Sequence, residues 1–227
     1  MRTLSGLVVA ALLVAIAAGA SSCRRVYYDA MAKFGYEKRD ILIGRVKDAQ
    51  KSQKEAQEEF KTALERFREV VEVDGGTLEK KYDKLNGELE RAENRANKVH
   101  DRVKSVKQVS KDLFDEWEKE LGKYSNRQMR AESERQLRET HRRTTELIKS
   151  MERAEARIEP VLKPLRDRVL FLKHNLNAKA LGALTKELAN VQGSVDALVA
   201  DMQRSIDEAD TYLHEMEREQ AAAKPGS

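Results

Sequence analysis

The stretch from Pro160 to Ala180, PVLKPLRDRVLFLKHNLNAKA, is the densest apolar run of the chain outside its N-terminal region. Val169 to Leu172 are four consecutive apolar residues, so a helix through them is apolar on more than one side. A helix that is apolar nearly all round is buried nearly all round. We therefore expect several helices to converge on this stretch, with Phe171 and Leu172 among the most buried residues.

Apolar residues around this stretch recur at alternating steps of four and three, which is the heptad spacing of packed helices. Four such segments follow one another, at about 29–73, 77–124, 126–180 and 181–219. Their connections are short, so consecutive helices run antiparallel. The sequence predicts an all-α fold, an elongated antiparallel four-helix bundle with coiled-coil-like heptad seams. The first seam consists of Leu42, Val46, Ala49, Gln53, Ala56, Phe60, Ala63, Phe67 and Val70.

The third seam runs from Met129 to Leu176 and contains two prolines, Pro160 and Pro164. An interior proline removes a backbone hydrogen bond and clashes with the preceding turn. We expect a kink or a short break near Glu159, after which the apolar run continues. The predicted seam positions include Met129, Ser133, Gln136, Thr140, Leu165, Val169 and Leu172.

The charges of the third and fourth segments are complementary. Residues 126–180 carry 14 basic and 8 acidic side chains, whereas residues 181–219 carry 3 basic and 9 acidic side chains. These two helices are therefore predicted to pair as the arms of one hairpin. The chain as a whole has 43 basic and 39 acidic residues in interleaved order. Interleaved signs are typical of solvated helix faces, so we expect no nucleic-acid partner.

The first 22 residues differ in character from the rest of the chain. Arg2 precedes an apolar run from Leu4 to Ala18, which is the pattern of a secretory signal peptide. Small residues then precede Cys23, the only cysteine, and this arrangement resembles a bacterial lipobox. We expect cleavage before Cys23 and attachment of lipid to its thiol. Ordinary cleavage near Ala20, which leaves a free thiol, is the alternative.

This interpretation divides the chain into a signal peptide at 1–22, a lipid-anchored linker at 23–28, a helical bundle at 29–219 and a disordered tail at 220–227. Arg24 follows the lipidated residue, whereas Asp in that position generally retains lipoproteins in the inner membrane of double-membraned bacteria. We therefore expect the protein at the periplasmic face of the outer membrane.

Two short segments are candidates for interaction with a partner. Residues 34–40 are dense in aromatic and charged groups, and they either close the near end of the bundle or form a contact surface near the membrane. The second candidate is the end of the stretch from Pro160 to Ala180, where polar side chains either cap a helix or bind a ligand. The candidate interaction residues are Tyr36, Lys38, Arg39, Asp40, His174, Asn175 and Asn177.

The sequence contains no catalytic motif and none of the metal-binding patterns known from helical bundles. A di-iron site requires Glu three residues before a histidine, and none of the four histidines has one. Phosphate-binding loops, nucleophile elbows and paired cysteines are also missing. His141 and His214 could lie level on adjacent helices. The interpretation of the chain as an enzyme or a metal protein depends only on that pair. We expect no enzymatic activity, no cofactor and no metal.

Three segments give the chain a resemblance to a known family: FGYEKRDIL at 34–42, LFDEWE at 113–118 and VLFLKHNLNA at 169–178. With these segments it resembles the bacterial domain-of-unknown-function family 2959, whose members are often exported or lipoprotein-like. The resemblance spans about residues 23 to 215. It implies export and a helical fold, and it transfers no catalytic residue.

The function that we expect is that of a non-enzymatic envelope lipoprotein, a helical spacer or adaptor for an unidentified envelope protein. Its membrane contact is the lipid on Cys23. The alternative is a protein that binds a membrane surface or an envelope polymer with the long faces of the bundle. The sequence identifies neither the partner nor the oligomeric state.

Overall fold

The computed structural model describes residues 38–72, 77–175 and 178–223. The chain divides into two compact units, Met1–Leu42 and Ile43–Ser227. Throughout the described ranges the regular elements are helices, and no strand is found among them. The prediction of an all-α helical bundle is confirmed.

Five helices make up the described chain. They are α1 Lys38–Glu72, α2 Leu78–Leu121, α3 Arg127–Ala156, α4 Ile158–His174 and α5 Ala178–Ala223. Helix α1 begins in the first unit and continues in the second. Helices α3 and α4 together correspond to the third predicted segment, and α5 continues past residue 219, where the predicted bundle ends.

In the second unit, the helices pack as antiparallel neighbours. Helix α1 lies beside α5, because Lys47 pairs with Glu217 near one end and Arg68 bonds Gln192 near the other. It also lies beside α2, where the Lys81 ammonium donates to the Val70 carbonyl at 3.0 Å. Helices α3 and α4 pack against both α2 and α5. The four sides of the bundle are therefore α1, α2, the α3–α4 pair and α5.

Heptad spacing identified most of the core correctly. All nine predicted seam positions of α1 are buried, including the polar Gln53. The third seam is wrong at its start, because Met129 is 58% exposed and Gln136 is also exposed. Leu137 is buried in place of Gln136. The inward stripe runs through Ser133, Leu137 and Thr140, which keeps the steps of four and three while placing leucine rather than glutamine inside.

The predicted break lies two residues earlier than Glu159. Arg157 separates α3 from α4, and its backbone N–H donates to the Ala154 carbonyl three residues back at 3.3 Å. Pro160 is the physical cause, because it has no N–H for the Ala156 carbonyl and its ring crowds that turn. Pro164 lies inside α4, which nevertheless continues to His174.

Side-chain caps fix three helix ends. Thr77 accepts from the Lys80 N–H at 3.3 Å and begins α2. Asn126 accepts from two backbone N–H groups of the first turn of α3. Asn175 ends α4 by donating its Nδ2 to the Phe171 carbonyl at 3.0 Å.

The charge complementarity predicted for the last two segments is confirmed. Each ion pair found between them joins a cation on α3, on α4 or at their junction to an anion on α5. The pairs are Arg143 with Glu215 and Glu219, Arg153 with Glu208, Arg157 with Asp201, and Arg168 with Glu187. Exposed pairs contribute little to stability, so their main effect is to select partner and register.

Candidate interaction surfaces

The stretch from Pro160 to Ala180 presents two large apolar side chains to solvent. Leu170 is 54% exposed and Phe171 is 46% exposed, whereas Leu172 is fully buried. The prediction for Leu172 is confirmed and the prediction for Phe171 is wrong. Successive residues of a helix are about 100° apart, so a core-facing stripe through Val169 and Leu172 leaves the two residues between them outside.

The polar residues that follow this pair hold the end of the helix. Asn175 bonds the Phe171 carbonyl through its side chain and also through its backbone N–H at 3.0 Å, so it acts as a cap. His174 is exposed in the last turn of α4. Asn177 lies outside the described residues. Leu170 and Phe171 therefore sit on a helix whose end is fixed.

The N-terminal candidates are described only in part. Lys38, Arg39 and Asp40 are half-buried in the first turn of α1. Asp40 carries negative charge near the positive end of the helix dipole, which is a stabilising position. Tyr36 and the predicted lipid attachment site Cys23 lie outside the described residues.

A second exposed apolar pair lies in and after the turn between α2 and α3. Tyr124 is 39% exposed and Met129 is 58% exposed, and residues 122–132 form an unbroken exposed run. In the second unit this turn and the end of α4 lie at opposite ends, because α2 and the α3–α4 pair are antiparallel. Heptad spacing offered no sign of this pair, since it placed Met129 inside.

A layer of amide side chains lies between α1 and α5. The Gln50 Nε2 donates to the Ile206 carbonyl at 3.0 Å and to Asp210 at 2.6 Å, and the Gln57 Nε2 donates to the Val199 carbonyl at 3.0 Å. Of the glutamines in this layer, only Gln53 lies at a predicted seam position.

Gln53 is at the centre of this layer. Its Oε1 accepts from the Ser205 hydroxyl at 3.1 Å, whereas its buried Nε2 has no hydrogen-bond partner. Both residues are fully buried. Buried amides of this kind select a partner and a register at some cost in stability.

Two charged grooves run along the bundle, and the residues that line them bind one another. The groove between α1 and α2 has a volume of about 600 Å³, and the groove between α3 and α5 one of about 610 Å³. In the second groove, burial opposes the charge on Arg143, but its hydrogen bonds to Glu219 and Glu215 raise its pKa overall. Side chains occupied in this way are poor candidates for general acids or bases.

Two of the four histidines have neighbours that account for them structurally. The His141 ring packs edge-on against Phe114 of α2, with ring centroids 4.6 Å apart. His100 lies 2.6 Å from a Glu155 carboxylate oxygen. Within the described ranges, no group of three or more His, Cys, Asp or Glu side chains could hold a metal ion.

A comparison with protein families gives a match over most of the chain. The family model described as "Protein of unknown function (DUF2959)" matches residues 27–216. No curated protein matches the chain. Among the described helices, none is both long enough and apolar enough to cross a membrane.

Proposed function

We propose that this chain, which belongs to the DUF2959 family of proteins of unknown function, is a non-enzymatic lipoprotein of the cell envelope. It acts as a helical spacer or adaptor for a protein partner. Lipid on Cys23 holds it to the membrane, and the residue after Cys23, Arg24 rather than Asp, supports a position at the periplasmic face of the outer membrane.

The exposed Leu170–Phe171 pair is the observation that carries this proposal. Both side chains stand on the outward side of α4 while Val169 and Leu172 anchor the same turn in the core. Neighbouring apolar side chains on a well-packed surface are a typical feature of protein-binding sites. Aromatic residues are also enriched among the residues that dominate binding energy. The pair is therefore the proposed contact with the partner.

The pairing of the charged side chains in the two grooves favours a non-enzymatic role. Their linings are ion pairs formed within the bundle, such as Arg95 with Glu55 and Arg143 with Glu215. The alternative function, binding of a membrane or polymer along the long faces, is less well supported. The cations of α3 and α4 are matched by anions of α5, so that face offers little net charge.

The anchor is tested by replacing Cys23. Cys23→Ala is expected to yield an unprocessed or soluble form that migrates more slowly and no longer incorporates a fatty-acid label. The measurement is metabolic labelling with an alkyne fatty acid, followed by fractionation of the envelope. A variant that fractionates and migrates like the wild type contradicts anchoring through this residue.

The partner contact is tested by photo-crosslinking in cells of the source organism. A benzophenone amino acid at position 171 is expected to capture one discrete partner, and Leu170→Ser in the same chain should reduce the yield several-fold. The matched control carries the same group at Lys149, which is exposed in the second half of α3. Identical captures from both positions, or no capture at position 171, count against the adaptor proposal.

A further inference from the structure

The hairpin of α2 and α3 extends beyond the end of α5. Arg143 on α3 binds Glu215 and Glu219 on α5. From Arg143 back to the start of α3 at Arg127 is about four helical turns, whereas α5 ends about one turn after Glu219, at Ala223. The turn between α2 and α3 is therefore the outermost part of this hairpin.

The turn combines exposed apolar side chains with excess positive charge. Between Lys119 and Arg130 there are four basic residues and one acidic residue. Lys119 and Arg127 are exposed and have no ion-pair partner in the described part of the chain. Tyr124 and Met129 lie between and beside these cations, 39% and 58% exposed. Tyrosine with flanking lysine and arginine is a combination that favours the interface between lipid and water.

We propose that this turn rests on an anionic lipid surface, with Lys119 and Arg127 against the headgroups and Tyr124 and Met129 at the level of the interface. The inference rests on the proposed anchor at Cys23, since a tethered protein meets the membrane at high local concentration. It goes beyond the anchor because it assigns a protein surface, and hence an orientation, to the membrane contact.

The course of the chain favours a lipid surface as the occupant at this end. The second unit begins at Ile43, and Lys47 in the next turn pairs with Glu217 near the end of α5. The chain therefore enters this unit at the end that carries the α2–α3 turn, and this entry point is the part of the unit nearest in sequence to the proposed anchor at Cys23. The Leu170–Phe171 pair lies at the opposite end, where it remains available to the proposed protein partner.

The sequence provides a direct way to test this contact. Cys23 is the only cysteine, and lipid occupies its thiol in the anchored protein, so introduced cysteines can be labelled singly. Tyr124→Cys, Met129→Cys and, as the matched control, Phe171→Cys carry an environment-sensitive fluorophore. Each lipidated full chain is reconstituted into vesicles of phosphatidylethanolamine with or without phosphatidylglycerol.

We expect the emission of labels at positions 124 and 129 to shift to the blue in vesicles that contain phosphatidylglycerol. Adding Lys119→Glu and Arg127→Glu should abolish the shift while the protein still floats with the vesicles. The label at position 171 should show the same emission with vesicles as it does in aqueous solution. Equal emission with and without phosphatidylglycerol, or a shift at position 171 alone, overturns the inference.

Failure of the anchor is recognised separately by mass spectrometry. A lipid-bearing chain whose labels do not shift contradicts the turn contact and leaves the anchor intact. A chain without lipid that neither floats nor shifts contradicts both. A shift that requires an added envelope protein rather than phosphatidylglycerol identifies a protein surface and also overturns the lipid contact.

Discussion

Leu172 and Phe171 are neighbours in sequence, yet their surroundings are opposite. Leu172 is fully buried between packed helices, whereas nearly half of the Phe171 surface is exposed. Leu172→Ala should lower the free energy of unfolding by about 2–5 kcal/mol, because it removes apolar atoms that are buried on folding and leaves a cavity in their place. Phe171→Ala, the matched control in the same turn, should change it by no more than about 0.5 kcal/mol. Urea denaturation measures both, and equal losses would show that Phe171 contributes to the core.

These two residues also show what sequence can and cannot decide about the stretch from Pro160 to Ala180. Heptad spacing includes Leu165, Val169 and Leu172 and passes over Phe171, and this pattern is correct. The density of apolar residues indicated burial on every side, and that interpretation is wrong for Phe171. Density alone cannot distinguish a second buried face from an exposed one, because both consist of the same side chains.

Gln53 gives a residue-scale prediction about buried polarity. Its Nε2 is buried without a partner, and such a group costs about 1–3 kcal/mol. Gln53→Leu combined with Ser205→Ala replaces both hydrogen-bonding groups by apolar ones. The double variant should therefore be more stable than the wild type by about 1 kcal/mol. The midpoint of urea denaturation measures this gain.

Gln57→Leu is the matched control, since its Nε2 donates to the Val199 carbonyl and to Gln203. Losing these bonds should lower stability by about 1 kcal/mol. If the Gln53 double variant were also less stable, the buried amide would have a partner such as an enclosed water molecule. The amide layer would then be a stabilising feature rather than one that selects register.

At the scale of elements, the break between α3 and α4 follows from Pro160, and the second proline, Pro164, lies within α4. Their ring geometry restricts the unfolded chain, so replacing them increases the entropy of that state. The native packing of α4 depends on the course set at Arg157, from which Arg166 reaches Glu93 on α2 and Arg168 reaches Glu187 on α5. A continuous helix through residue 157 would change the direction of α4 and move Arg166 and Arg168 away from these partners.

The double variant Pro160→Ala and Pro164→Ala should therefore be less stable by about 1 kcal/mol, although alanine has the higher helix propensity. Thermal unfolding followed by circular dichroism is the measurement. Single variants separate the two sites, and Pro160→Ala should account for most of the loss because Pro160 causes the break. A clear rise in the melting temperature would show that the prolines reduce stability and are retained for another purpose.

The break could be predicted because proline acts locally, whereas the first turns of α3 could not be placed. Around Ser133 and Thr140, both Gln136 and Leu137 satisfy heptad spacing, so spacing alone does not choose between them, and the apolar Leu137 is the one that is buried. Met129 was expected inside because its spacing fits. It is exposed because the hairpin of α2 and α3 extends past α5, and the length of an overhang does not appear in periodicity.

For the whole molecule, more of the fold than of the candidate interaction surfaces could be predicted from the sequence. Heptad seams and opposite charges on consecutive segments were enough to predict which helices become neighbours. The candidate surfaces depend on where each helix ends relative to the others. That relation emerges only when the helices are packed, which is why the α2–α3 turn was missed.

The ion pairs that join the bundle give it a predictable response to acid. Lys84 and then Arg66 hydrogen-bond Glu69 and lower the pKa of its carboxyl. Hydrogen bonds from Asn190 and then Arg168 do the same for Glu187. Glu159 and Glu217 also have a lowered pKa, caused first by hydrogen bonds from Arg166 and Lys47, respectively.

A pKa that is lower in the folded than in the unfolded state means that the unfolded chain binds protons first as the pH falls. The stabilisation is therefore fully present above the unfolded value, about 4.3 for glutamate, and is lost as the pH falls through the folded values. We expect the urea midpoint to stay constant from about pH 7 to pH 5 and to decrease below about pH 4.3. Glu69→Gln with Glu187→Gln should make this decrease shallower, because two of the four carboxyls no longer titrate. A midpoint that rises on acidification would mean that these carboxylates repel their surroundings more than the cations attract them.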